Sequence, residues 1–120
     1  MAKLLVVDDN QSICQLIHGF FSDLKGHTVY TTNVPTEAPD LVREHNPDLA
    51  LLDIVMPDIH GIDLLKQLRE IKRELKAITI TAVDDEDIAR EAMERRAVEY
   101  VTKPLHLNYL DTQVTFQLMS

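Results

Sequence analysis

Along the chain, five short apolar runs alternate with five stretches whose apolar residues recur at helical spacing. The runs are residues 4–7 (LLVV), 28–32 (TVYTT), 49–55 (LALLDIV), 77–81 (AITIT) and 98–102 (VEYVT), each of strand length and rich in β-branched or aromatic residues. The first helical face is Ile13, Leu16, Ile17, Phe20, Phe21 and Leu24, at i, i+3, i+4, i+7, i+8 and i+11, with Asn10 or Asp9 as cap and Gly26 as terminator. Ala38, Leu41, Val42 and His45 mark a second helix. Pro35 and Pro39 do not both fit inside one regular helix, so the start falls near Glu37 with Pro39 in the first turn, where a missing N–H costs little. Leu64, Leu65, Leu68 and Ile71 line a third helix after Gly61. Asp84, Asp85, Glu86 and Asp87 open a fourth, whose small-sided face (Ile88, Ala89, Ala92, Met93) predicts lighter packing and more mobility. Leu107, Leu110, Val114 and Leu118 space out the last.

Strand and helix patterns in strict alternation are most simply satisfied by parallel strands joined by right-handed helical crossovers, a doubly wound α/β sheet covered on both faces. Ligands of such sheets bind beyond the carboxyl ends of the strands. The polar residues closing the runs are therefore the ones to read for chemistry: Asp8 and Asp9, Asp53, Thr81 and Lys103. Asp53 is the anomaly, a carboxylate inside an otherwise continuous apolar run and just before a Met56-Pro57 turn. An acid in such a place either sits at the open end of its strand or has a cation beside it.

The composition sets bounds on this reading. A chain of 120 residues with 45% hydrophobic and 27% charged residues is one ordinary globular domain, here expected to span 1–120. Its net charge of −8 argues against direct nucleic-acid binding, which depends on Lys and Arg neutralising phosphates. The single cysteine, Cys14, forms no internal disulfide and fits a reducing compartment. Only six apolar residues, interrupted by Lys3, precede the first acids, too few for a signal peptide or a membrane span, so a cytoplasmic location is expected.

Three carboxylates converging on one rim repel one another unless a cation joins them. A hard divalent ion such as Mg²⁺ suits the set, because it takes few carboxylates, keeps several waters and recruits phosphate oxygens. No His or Cys spacing suggests zinc, and the five histidines read as surface or partial core. A carboxylate beside such an ion can attack a phosphoryl group, a step needing mainly position and charge neutralisation; Lys103 offers an ammonium and Thr81 a hydroxyl. Singly, each residue has a plainer reading: a cap, a strand threonine, a solvated lysine. What outweighs these is that acid pair, acid, hydroxyl and amine close four different strands at one edge.

With these residues in place, the sequence resembles a response-regulator receiver domain, the phospho-accepting module of two-component signalling, over essentially its whole length. The resemblance rests on V-V-D-D-N at 6–10, L-L-D-I-V-M-P at 51–57, T-I-T-A at 79–82 and Y-V-T-K-P at 100–104. It implies a flavodoxin-like five-stranded sheet in the order 2-1-3-4-5 with five helices. It implies Asp53 as phosphoacceptor, and Asp8, Asp9, Asp53 and the backbone carbonyl of Val55 as Mg²⁺ ligands. It further implies Thr81 and Lys103 as phosphoryl contacts, a cis Lys103-Pro104 peptide, and Tyr100 as a switch aromatic. The output face would be the fourth helix, fifth strand and fifth helix. Implied partners are a sensor histidine kinase or phosphotransfer protein and a downstream output protein or domain, with dimerisation on phosphorylation left open; the domain would be a switch and not an enzyme. Departures are His60, where the family commonly has Asp before Gly61, and Arg96, where a Gly usually precedes Ala97. Val55 and Val83, two residues beyond Asp53 and Thr81, line the attacking water's route in the family and are expected to slow acyl-phosphate hydrolysis.

Other functions fit less well. An aspartyl phosphatase of the haloacid-dehalogenase type needs an acid two residues after its nucleophile, and Asn10 holds that place after Asp8. A flavin-binding protein of similar topology needs a Gly- and Thr-rich phosphate loop, which does not follow the first run. A receiver-like scaffold that takes no phosphate would not require the complete constellation.

Overall fold

A computed structural model describes residues 1–81 and 99–119, with Thr81 and Glu99 described by their backbone alone. The strands β1 (Lys3–Val7), β2 (Thr28–Thr32), β3 (Leu49–Asp53), β4 (Lys76–Thr81) and β5 (Glu99–Thr102) form one parallel sheet in the order β2-β1-β3-β4-β5, as expected. Around it lie α1 (Gln11–His18), α2 (Ala38–His45), α3 (Gly61–Ile71) and a C-terminal helix (Leu107–Leu118). The predicted fourth helix, with Arg96 and Val83, falls outside the described residues. None of the described helices is long and apolar enough to cross a membrane.

The unbroken apolar runs are explained by two cores, one per face of the sheet. Because side chains alternate along a strand, Leu4, Val6, Leu49 and Leu51 pack with Cys14, Ile17 and Phe21 of the first helical segment and Leu110 and Val114 of the C-terminal helix. Their neighbours Leu5, Val7, Ala50 and Leu52 point the other way, onto Ala38 and Val42 of α2 and Leu64, Leu65 and Leu68 of α3. The expected resolution of the two prolines holds: Pro35 opens a short 3₁₀ turn (Pro35–Glu37), and α2 begins at Ala38 with Pro39 in its first turn. The Lys103-Pro104 peptide is cis.

Two expectations are corrected. The first helix does not keep one 3.6-residue face to its end; after His18 it continues as a π-helical segment, Gly19–Leu24. The wider i→i+5 winding turns each residue through a smaller angle, so later positions fall behind the apolar stripe. Ile17 and Phe21 stay fully buried, whereas Leu24, at the end of this segment, is 73% exposed. The third apolar run also stops sooner than its composition suggests: β3 ends at Asp53, Ile54 remains buried, and Val55 turns outward, 56% exposed.

The rephasing predicts unequal costs for two residues that look equivalent in the sequence. Phe21→Ala should destabilise by ~3–5 kcal/mol, as for a fully buried aromatic. Leu24→Ala should stay within ~0.5 kcal/mol, as for a surface change. Urea midpoints of both variants check this, and a large cost at Leu24 would contradict the π-helical segment.

Candidate phosphoacceptor and cation site

Strand register alone brings the distant acids together. Val7 of β1 lies opposite Leu52 of β3, so the next residues, Asp8 and Asp53, emerge side by side at the same edge. Asp53 itself lies opposite Ile80 of β4, and Thr81 opposite Thr102 of β5, which sets the backbone of Thr81 and the following Lys103 at that edge too. Four of the expected site residues, Asp8, Asp9, Asp53 and Lys103, are thus gathered by their side chains. Thr81 is in place by its backbone, and its hydroxyl lies outside the described residues. Tyr100 stands in β5 and is 39% exposed.

One carboxylate oxygen from each of Asp8, Asp9 and Asp53 lies within 4.8 Å of the others. Asp8 is fully buried, Asp53 is 3% exposed, and Asp9 faces solvent. The Lys103 ammonium reaches between the two buried acids, 3.5 Å from Asp53 Oδ1 and 3.7 Å from Asp8 Oδ2. That cation does not discharge the cluster. Burial, reinforced by the Asp8 charge and opposed by Lys103, pushes the Asp53 carboxyl up to about 7. Burial likewise raises Asp8, against the pull of its bond from the Asn10 N–H and of Lys103. Among the described residues, Asp8 Oδ2 is buried with no hydrogen-bond partner. A desolvated, unsatisfied carboxylate oxygen beside two further carboxylates is a set of hard oxygen donors open to solvent on one side. These residues fit a divalent cation of the Mg²⁺ class.

The chain after Asp53 is tied down at Ile54, whose N–H donates to Ile80 O at 3.0 Å. Gly61, the first residue of α3, donates its N–H to Ile54 O at 2.7 Å. A Cβ there would collide with the carbonyl oxygen of Asp53 and come within 2.7 Å of Ile54 Cα, so only glycine allows this approach. Next to it, His60, expected from the sequence as surface or partial core, is the N-cap of α3, its Nδ1 accepting the Ile62 N–H at 3.2 Å. The capping role was within reach of the sequence, since the family's Asp at this place is itself a good N-cap. The role of Cys14 was not legible: its thiol donates to the Asp8 carbonyl oxygen at 3.3 Å.

With this geometry established, comparison with known proteins is direct. The family model described as "Response regulator receiver domain" matches residues 4–115. The chain belongs to the response-regulator receiver domain family. It is 31% identical over 106 residues to the sporulation initiation phosphotransferase F of Bacillus subtilis, covering 88% of this chain and 85% of that protein. It is 32% identical over 106 residues to the probable C4-dicarboxylate response regulator DctR of the same organism, again over 88% of this chain. That match spans only 47% of DctR, about half of its length. Among solved structures, a response regulator receiver domain protein from Clostridium thermocellum superposes with a TM-score of 0.90 at 31% identity, covering 98% of this chain and 94% of that one.

The raised Asp53 carboxyl fixes the sign of a pH effect in this receiver domain. In the unfolded chain Asp53 ionises near the ordinary value of 3.8, while in the fold it holds its proton up to about 7. Between those values the folded state binds the extra proton, so Asp53 subtracts stability as pH rises. Asp53→Asn removes this term. In metal-free protein the variant's melting temperature, relative to wild type, should therefore climb from pH 4.5 to pH 8. A constant or falling difference would show that Asp53 is not electrostatically frustrated.

Proposed function

We propose that this receiver domain takes a phosphoryl group on Asp53 from a phosphohistidine donor and thereby controls an output partner. The donor would be a sensor histidine kinase or a phosphotransfer protein. The observation that carries the reading is the juxtaposition of a nearly buried acid, Asp53, with two further carboxylates and an ammonium at the open edge of the sheet. In the step itself, an Asp53 oxygen forms a bond to phosphorus as the P–N bond of the donor breaks. The imidazole leaves with a proton taken from solvent. Hydrolysis later returns the carboxylate and inorganic phosphate.

Asp8, Asp9 and Asp53, with the backbone carbonyl of Val55, would hold Mg²⁺. Bound there, the ion supplies positive charge against both the carboxylates and the phosphoryl oxygens. Lys103, already 3.5 Å from Asp53, pairs with the charge that builds on the transferred group. The Thr81 hydroxyl would receive a phosphoryl oxygen. Its movement, followed by inward rotation of the Tyr100 ring, would alter the face made by the fourth helix, β5 and the C-terminal helix. The apolar side chain of Val55, exposed beside Asp53, would hinder the attacking water and prolong the phosphorylated state.

On this reading the domain is a switch in a two-component phosphorelay in the cytoplasm, not an enzyme acting on other molecules. The net charge of −8 supports a protein output partner over direct nucleic-acid contact. It is open to dimerisation on phosphorylation. The test is intact mass after incubation with acetyl phosphate, with and without Mg²⁺, on wild type and Asp53→Asn. One added phosphoryl group requiring both Mg²⁺ and Asp53 is expected. No adduct on a folded protein that binds Mg²⁺ would overturn the proposal in favour of a scaffold.

A further inference from the structure

Asp8 is held at three of its atoms. Its backbone N–H donates to Thr32 O at 3.2 Å, and its Oδ1 accepts the Asn10 N–H at 2.9 Å. Its carbonyl oxygen accepts the thiol of Cys14 at 3.3 Å. With those three atoms engaged, Oδ2 is left over, buried and aimed at Lys103 and Asp53. Two of the anchors are made by main-chain groups, which other side chains at those positions would still supply. The third depends on residue 14, the only side chain among the three partners.

We propose that Cys14 is a positioning residue for the acid site: its thiol fixes the peptide plane that follows Asp8, and so fixes where the Asp8 and Asp9 carboxylates stand. The inference rests on the reading of these acids as a divalent-cation site. The thiol is suited to the task. It is 4% exposed, packed in the core beside Ile17 and Phe21, and lies 3.7 Å from Thr32 O as well. That burial makes it a poor nucleophile, which separates this role from redox chemistry. A peptide plane released from this bond can rotate, and both acids flank it.

Cys14→Thr and Cys14→Val test the proposal, because the two replacements have the same shape and differ by one hydroxyl donor. Mg²⁺ affinity is measured by calorimetry, and the Asp9 amide ¹⁵N shift by NMR without metal, since that nitrogen belongs to the peptide whose carbonyl is Asp8 O. Melting temperatures are recorded alongside. The expected result is Mg²⁺ binding about three- to fivefold weaker in the Val variant than in the Thr variant, the size of one modest hydrogen bond. The Asp9 ¹⁵N resonance should move in the Val variant and stay near wild type in the Thr variant. Equal affinities and equal shifts would overturn the role of Cys14, even if both variants melt lower. Should wild type fail to bind Mg²⁺, the cation reading falls, while the Asp9 shifts still decide whether the thiol holds the peptide.

Discussion

The structure depends on one conflict: three carboxylates are driven to the same edge of a sheet, and two of them are taken out of water. Nothing about acids makes them gather; the apolar strands do it. Burial of Leu4 to Val7 and Leu49 to Leu52 on both faces fixes the register of β1 against β3, and that register sets Asp8 beside Asp53. The hydrophobic effect, spread over two cores, supplies the free energy that holds like charges together. Lys103 relieves part of the repulsion and leaves Asp8 Oδ2 without a hydrogen bond. A site in this condition favours whatever brings more positive charge to it.

The surroundings keep the conflict from relaxing. Asp8 is tied through its N–H and its carbonyl, which fix its backbone, and through one carboxylate oxygen, which cannot turn to solvent without losing the Asn10 N–H. On the other side, the N–H of Gly61 closes on the carbonyl of Ile54, and α3 starts immediately from there under the cap of His60. The chain leaving β3 is thereby pinned from the end of Asp53 onward, although it runs as a loop through Val55, Met56 and Pro57. Rigid strands place the acids, and short-range capping places the loop. Both are forms of preorganisation, in which the cost of ordering the site is met by folding and not by the ligand.

Much of this was legible in the sequence, and for identifiable reasons. Apolar runs ending in Asp8, Asp53, Thr81 and Lys103 fixed both the α/β alternation and the edge at which chemistry gathers, because a parallel sheet aligns its strand ends. Pro35 and Pro39 limited where α2 could begin. The π-helical segment was not legible: the spacing of Leu24 fits an ideal helix, and only the three-dimensional path shows that it leaves the stripe. Nor was the outward turn of Val55, since its apolar side chain continues the strand composition past the last ladder bond. Cys14 shows a further limit. Its role lies in which backbone group the side chain meets, and hydrophobic periodicity carries no information about that.

The central claim is that this frustrated cluster is a cation site from which Asp53 does its chemistry. The most direct measurement is a diffraction experiment on crystals grown with Mn²⁺ in place of Mg²⁺, using anomalous scattering to locate the ion. The account predicts one strong peak at the edge of the sheet, within about 2.0–2.3 Å of a carboxylate oxygen of Asp53 and of the Asp8–Asp9 pair, as befits a hard cation with oxygen ligands. Well-ordered carboxylates with no anomalous peak between them, at a saturating Mn²⁺ concentration, would contradict it.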